Sequence, residues 1–557
     1  VTRKERWQFW ILWLALGLAP LFLRPLWEPD EARYAEIPRE MLRSGDWLTP
    51  TLNQVAYFEK PPLQYWLSAA SMKLFGVQPW AARLPLALAS LLALWAAWRL
   101  ARRLGAPRPL WAAFMAATML LGFFCGQVLT LDALFAAFLA VALCGVVEAV
   151  GARCAGGPAL PWTLLAFGAL AAATLTKGIA APVLLGGAAL ASLVWTRGEA
   201  RLRRAVLRTL FDPLGWMLLL ALTVPWFVAV DRANPGHARF FFIHEHFARF
   251  TSHVHRREAS SNWVVDKLYF PGVFLGGVLP WLAASLLGLR RAWGFLRRRL
   301  APAGEAGGLN RWTVALLLAA FAMPMLFFSA SGSKLYPYIL PVAVPVAVLA
   351  CTFAEEAEGW APFRRAGREL LLLGLLAVLG GAALGKEAHV LPLALAAGLA
   401  LALTGLWALR PRHLTAIRWA AALGASLLLL VVAAQRAVGA SKSVDHLVAR
   451  APAGAQWMSI GYYHQGIAFR TGTRVTVVAG AGELAFGRDR LSEAEQRRWF
   501  PEAEDLEAAA ARLRAEAPER PVWAIAARRF WERQPEARRA AWELVASTRS
   551  HRLLRMR

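Results

Sequence analysis

Cysteine is scarce. The four in 557 residues, Cys125, Cys144, Cys154 and Cys351, sit in or beside apolar segments, without a pairwise motif and with none in the large hydrophilic portions. That pattern excludes a disulfide framework and a zinc ribbon. The chain also lacks a Walker loop, a dinucleotide-binding glycine fingerprint and a serine-hydrolase elbow, so the nucleotide and acyl-transfer chemistry built on those motifs is excluded. It has no fixed-period repeat and no long low-complexity linker. Acids are few against bases, 36 Asp and Glu against 62 Lys and Arg, which gives a formal net charge of +26.

Apolar residue is what the chain has in excess. It is 58% hydrophobic, contains 26 tryptophans and has a mean hydropathy of +0.42. A water-soluble core of this length does not need so much, so the composition indicates a polytopic membrane protein. Apolar stretches recur near the roughly 20 residues that cross a bilayer, and unsatisfied backbone polarity leaves helices as the spanning form. The spacing predicts about thirteen transmembrane helices, near 8–26, 80–100, 109–126, 131–150, 161–176, 178–196, 214–231, 271–289, 312–330, 337–354, 369–385, 389–409 and 416–437. The first run has a basic start but is long for a signal-peptide core and lacks a small-residue cleavage site, so it reads as a retained helix.

The positive charge follows the topology and is not a nucleic-acid footprint. Basic clusters fall at Arg3, Lys4 and Arg6, at Arg102, Arg103 and Arg108, in 197–208, in 290–299, at Arg364, Arg365 and Arg368, and at Arg410, Arg412 and Arg418. These are alternate loops, which places the N-terminus in the cytoplasm and, with an odd helix count, the C-terminus on the other side. Residues 27–79 and 231–270 become long non-cytoplasmic loops of a membrane domain spanning 1–440. Beyond it charge density rises, and β-prone runs such as "QWMSI", "RVTVVAG" and "RPVWAIA" alternate with helical patterns. A small soluble α/β domain is expected over 441–557.

The unusual polar residues gather on the face opposite the basic loops. In "WEPDEARYAEIPREML" the spacing of Tyr34, Ile37, Met41 and Leu42 suggests a short amphipathic helix on the membrane surface, with Asp30 and Glu31 at its N-terminal edge. Helix capping and a solvated loop account for Glu28, Glu36, Glu40 and Asp46. Asp30 differs by its place, where the first membrane helix opens onto this face. In "AYFEKPPLQYW" two prolines enforce extended chain after Glu59 and Lys60, which fixes Lys60 as a cation at the membrane boundary suited to a lipid phosphate. Asp132 begins an apolar helix, either as a cap or as a second acid of the site. Lys177 lies in a tight turn, where snorkelling alone would also explain it. "RFFFIHEHFARF" carries His244, His246 and Arg249. The two histidines with Glu59 or Glu245 form a weak zinc signal, and Arg249 suits an anion. Lys334 and Tyr338, in "SGSKLYPYILP", complete the face, although interfacial tyrosines are common without a catalytic role. Cations beside carboxylates at one membrane boundary point to a pocket for a phosphorylated lipid. A transporter would instead place ionisable residues near helix midpoints.

Five segments in order, "PDEARYAEIPREMLRSGDW", "YFEKPPLQYW", "LTKG", "FFFIHEHFARF" and "SKLYPYILP", resemble the bacterial undecaprenyl phosphate-aminoarabinose:lipid A transferases. These are membrane glycosyltransferases of the C-type fold, a group that also includes protein O-mannosyltransferases. The resemblance covers most of the chain to about residue 340. It implies a multi-pass inner-membrane enzyme, active at the periplasmic face, that moves 4-amino-4-deoxy-L-arabinose from undecaprenyl phosphate to a lipid A phosphate and so confers resistance to polymyxin. It also implies that the family's essential loop aspartate corresponds to Asp30, and its donor-phosphate residues to Lys60, Arg249 and Tyr338. Transfer of another sugar, or to a protein hydroxyl, is the rival expectation. Neither needs a nucleotide or nucleic acid.

Overall fold

The computed structural model of the chain describes residues 3–248, 263–297, 305–355, 361–384, 391–409 and 416–557. Contacts divide it into two units: residues 1–21, 59–64 and 84–433 form the first, and residues 22–58, 65–83 and 434–557 the second. This partition differs from the expected one. Most of the first long loop groups with the C-terminal segment, whereas the sequence had assigned it to the membrane domain.

The first unit is helical. Among the described residues eight helices are long and apolar enough to cross a membrane, and nine if one bent pair counts as a single span. Among the described residues the predicted apolar stretches fall largely on helix, but several helices are broken. The stretch at 109–126 divides into Leu110–Thr118 and Leu120–Cys125. At the break Met119 turns to φ −58° and ψ 132°, and the Leu120 amide donates to the Leu279 carbonyl at 2.9 Å. The stretch at 271–289 straddles a sharper break, because Val264–Gly277 and Leu282–Arg297 meet at 112°. Pro280 cannot donate to a continuing helix. The new helix start is held by Glu369, which accepts from the Leu282 and Ala283 amides at 2.7 and 2.8 Å. A carboxylate there satisfies orphan N–H groups and meets the positive end of the helix dipole. An apolar window cannot register either break, since both sides are equally hydrophobic.

Glycine allows close helix approach in this unit. Ala361–Leu384 packs against Leu391–Ala408, and a Cβ at Gly374 would lie 2.6 Å from the Gly398 carbonyl, one at Gly405 2.5 Å from that of Gly367. In lipid, where burial of apolar surface gives helices little reason to associate, such small-residue seams supply packing. Three tryptophans fill the interior with their indole N–H groups satisfied: Trp281 donates to Thr118 Oγ1 at 2.9 Å, Trp312 to Ser192 Oγ at 3.0 Å and Trp419 to the Thr404 carbonyl at 3.1 Å.

The second unit carries seven strands. Thr51–Leu52 (β1) and Val55–Ala56 (β2) make an antiparallel hairpin. The others, Gln456–Ile460 (β3), Thr476–Val478 (β4), Val522–Ala527 (β5), Trp542–Ser547 (β6) and His551–Met556 (β7), form one sheet in the order β4-β3-β5-β7-β6. β3 runs parallel to β4 and β5, and β7 antiparallel to β5 and β6. Met458, Ile460, Ala524 and Leu554 pack with Leu506, Ala510 and Leu513 of the helix Leu506–Glu516. The β1–β2 turn is tied to this layer by Asn53, fully buried, whose amide donates to the Val475 carbonyl and accepts from the Val475 amide, both at 2.9 Å. Asn53→Ala would orphan both backbone groups in a buried site. It is expected to destabilise the second unit by about 2 kcal/mol, read as an earlier onset of proteolysis between residues 22 and 83 during thermal denaturation.

Candidate functional site

Asp30 opens the helix Asp30–Ser44, and its side chain is 52% exposed. It is ion-paired with Arg33, one turn on, whose side chain is 4% exposed and which also pairs with Glu483. Glu483 in turn accepts a hydrogen bond from Gln465. Arg33 also lies over the Tyr34 ring, its guanidinium carbon 5.3 Å from the centroid, and Tyr34 stacks on Tyr65 at 6.0 Å. An exposed carboxylate therefore stands on a guanidinium fixed from below by a second carboxylate. Sequence reasoning missed Arg33 and Glu483. The i,i+3 spacing of Asp30 and Arg33 on a helix start was a usable signal, whereas Glu483 lies 450 residues away.

The helix corrects two expectations. It is buried from Glu31 through Met41, so it is not an amphipathic helix with one wet face. The solvated-loop reading holds for Asp46, which caps the Leu48 and Thr49 amides at 2.8 and 3.1 Å from an exposed position. It fails for Glu28, Glu36 and Glu40, all buried. Glu36 is gripped by Arg39 through two bonds of 2.6 Å, Glu40 accepts from Thr51 Oγ1 at 2.7 Å, and Glu28 accepts from the Gly466 amide at 2.7 Å. Glu31, which has no exposure, takes Arg24 at 2.8 Å and Arg83 at 2.9 and 3.0 Å. Burial alone would raise its pKa, but the two guanidiniums outweigh that and hold it down to about 2. The acids that looked solvated are the polar interior of this unit.

The other candidates belong to the first unit and form three groups. Lys60 lies 3.2 Å from Glu245 Oε2 and donates to the Glu59 carbonyl at 2.7 Å. The Glu245 side chain is 4% exposed and sits 3.6 Å from His244 Nδ1 on its other oxygen. Asp132, in the first turn of Leu131–Cys154, is ion-paired with Lys177, which ends the helix Leu160–Lys177. The Lys177 ammonium lies 4.2 Å from the centroid of Tyr338 and 5.4 and 5.7 Å from those of Phe135 and Phe328. The two helices carrying this pair pack along their length, so the cation and acid stand at the same end of one hairpin. Lys334 is turned inward, 1% exposed. It donates to the Ser331 carbonyl at 2.7 Å and lies 3.3 Å from Asp266 Oδ2.

Each described cation among the candidates thus has a carboxylate beside it. Glu245 and Asp266 are the partners the sequence did not single out for this role; Asp266, a lone acid opening an apolar helix like Asp132, carried a comparable signal. Arg249 lies outside the described residues, as do His253, His255, Arg256, Arg257 and the His246 side chain. Among the described residues no three His, Cys, Asp or Glu side chains gather as a group able to hold a metal.

Comparison with known proteins places this arrangement in context. Residues 59–228 match the family model described as dolichyl-phosphate-mannose-protein mannosyltransferase. The undecaprenyl phosphate-alpha-4-amino-4-deoxy-L-arabinose arabinosyl transferase of Edwardsiella ictaluri is 33% identical over 383 residues, which are 68% of this chain and 64% of that protein. The second such transferase of Sodalis glossinidius is 35% identical over 368 residues, 65% of this chain and 62% of its own length. The crystal structure of ArnT from Cupriavidus metallidurans bound to undecaprenyl phosphate superposes with a TM-score of 0.75 at 26% identity, covering 100% of this chain and 98% of that one. The chain is similar to these arabinosyl transferases over part of their length. The matched sequence spans just under two thirds of the curated arabinosyl transferases' length, while the likeness to ArnT in three dimensions runs over the whole chain.

Proposed function

We propose that the protein is a glycosyltransferase of the bacterial inner membrane that moves 4-amino-4-deoxy-L-arabinose from undecaprenyl phosphate to a lipid A phosphate. The observation that carries this reading is the likeness, end to end, to an ArnT chain bound to undecaprenyl phosphate. Its thirteen apolar stretches span the bilayer with the N-terminus cytoplasmic. The Asp30 loop and the C-terminal α/β layer then face the periplasm, where polymyxin resistance by lipid A modification would be achieved.

In this reaction an oxygen of the acceptor phosphate forms a bond to the anomeric carbon as the bond from that carbon to the undecaprenyl phosphate oxygen breaks, with inversion. The acceptor is already largely dianionic at neutral pH, its second pKa being about 6, and needs little help from a base. Asp30, held by Arg33, then serves to orient the acceptor or the sugar's ammonium. Lys60, Arg249, Tyr338 and the Lys177 region would bind the donor and offset charge developing on the departing phosphate. A metal at Glu59, His244 and His246 would add to that charge stabilisation.

The test is reconstitution with undecaprenyl phosphate-aminoarabinose and lipid A, followed by mass spectrometry of lipid A. A gain of one aminopentose is expected from the wild type, falling by about 10³-fold in Asp30→Ala. No gain from folded protein would move the donor or acceptor elsewhere. The mannosyltransferase match supports a protein hydroxyl as the second acceptor to try. There Asp30 would have to act as base, and Asp30→Asn would abolish transfer while donor binding persisted.

A further inference from the structure

The first unit holds a groove of about 560 Å³ that none of the residues proposed for the transfer lines. Its walls run from Gln8 to Leu16 along the first helical run, from Pro107 to Phe114 at the start of the helix Leu110–Thr118, and from Ala420 to Leu428 along the helix Ala416–Lys442. The last of these walls extends for about 12 Å along its helix. Among the lining side chains only Gln8 and Arg108 carry an amide or a charge, and the rest of the surface is apolar. Ile11, Ala421 and Ala425 line the groove and are themselves exposed. One side is therefore open, so a chain can enter sideways from a surrounding bilayer.

Charge at the mouth decides which amphiphile the groove suits. All three walls begin at basic clusters of the sequence: segments 1–16, 101–114 and 410–428 carry nine Lys and Arg against one acid, Glu5. Arg108 lines the groove and is exposed. Arg418, also exposed, precedes Ala421 and Ala425 by three and seven residues, so it stands on the helix face that lines the groove, beyond its last wall residue. A fitting ligand has an apolar chain for the walls and an anionic head for the two guanidiniums. We propose that the groove holds one acyl chain of an anionic glycerophospholipid, with the headgroup phosphate between Arg108 and Arg418 and the second chain left in the bilayer. Guanidinium forks match phosphate oxygens, and a basic residue at the membrane surface favours anionic over zwitterionic lipid. Fixed walls on three sides give the chain dispersion contacts that mobile bulk lipid does not. The volume suits one acyl chain and falls far short of a polyprenyl chain, which separates this lipid from the donor of the transfer.

The test titrates delipidated, full-length protein in detergent with dipalmitoyl phosphatidylglycerol and, separately, with dipalmitoyl phosphatidylcholine, and reads bound lipid by native mass spectrometry. A diazirine near the end of one acyl chain, followed by peptide mapping, locates that chain. Phosphatidylglycerol is expected to be retained about tenfold more tightly than phosphatidylcholine, with crosslinks in segments 8–16, 107–114 and 420–428. Arg108→Gln combined with Arg418→Gln should remove the preference and leave the crosslinks in place. A Cβ at Gly424 would already lie 3.3 Å from Leu16, so Gly424→Leu should fill the groove and abolish the crosslinks. If that variant does not fold, Ala421→Leu, at an exposed wall position, should weaken them about tenfold. Equal retention of the two lipids, a preference that survives the double arginine variant, or crosslinks that persist in the filled variants would each overturn the proposal. So would displacement of phosphatidylglycerol by an equal concentration of undecaprenyl phosphate, which would assign the groove to a polyprenyl lipid.

Discussion

Glu31→Ala is expected to destabilise the second unit by about 3–5 kcal/mol. Its carboxylate is fully buried and is the shared acceptor for Arg24 and Arg83, and it also accepts from the Trp27 amide at 3.1 Å. Removing it takes the shared carboxylate from two guanidiniums, one of them on a side chain with no exposure at all. Replacing all three with apolar residues would cost far less, because the penalty comes from breaking the set, not from lacking it. The purified variant should lose its folded, monodisperse peak at temperatures where the wild type keeps it. A melting midpoint unchanged from wild type would show that the triad is compensated by its surroundings. The same group gives an acid limit. Its pKa is lowered from 4.5 to about 2, so its contribution is complete above about pH 4.5 and is lost as pH falls through about 2. Glu31→Gln should flatten that part of the pH–stability profile.

The second large effect concerns the first unit. Asp132→Asn and Lys177→Met are each expected to lower aminopentose transfer by about 10²-fold, with the double variant no worse than either alone. The pair stands at the ends of two packed helices, and Lys177 is surrounded by the rings of Tyr338, Phe135 and Phe328. An ammonium in that setting is oriented by both charge and ring faces. Residues that work as one device lose their joint contribution when either is removed, which produces the non-additivity. A pair that serves only to neutralise charge in the membrane behaves differently: removing both partners restores what removing one destroys. Near wild-type transfer by the double variant would therefore defeat a functional role, and donor binding to each variant would show whether loss lies in binding or in the chemical step.

Hydrophobic patterning made the helical architecture legible because bilayer thickness imposes one length on many segments. The breaks at Met119 and around Pro280 were not legible, because what holds them is a carbonyl at Leu279 and a carboxylate at Glu369, both remote in sequence. The same difficulty explains the misread acids. Glu28, Glu36 and Glu40 look like surface charge in a hydrophilic loop, and only the folded chain supplies Gly466, Arg39 and Thr51 in the right places. Lys60, Asp132, Lys177 and Tyr338 could be named from their setting at helix ends and beside proline. Their partners could not always be named, since an ion pair leaves no periodic trace in sequence.

The tie between Asn53 and Val475 has a consequence for synthesis of the chain. The two residues are 422 positions apart, and a ribosome adding about 5–20 residues per second takes on the order of 20–80 s to cover that interval. The loop bearing Asp30 therefore leaves the ribosome long before the segment that completes it. Throughout that interval its acids and arginines have no sheet to close over them, and every intervening helix has been made before they do. Closure of this unit therefore lags synthesis of its loop by that interval, and a nascent chain stalled anywhere between residues 53 and 475 carries the aspartate without the layer that fixes it.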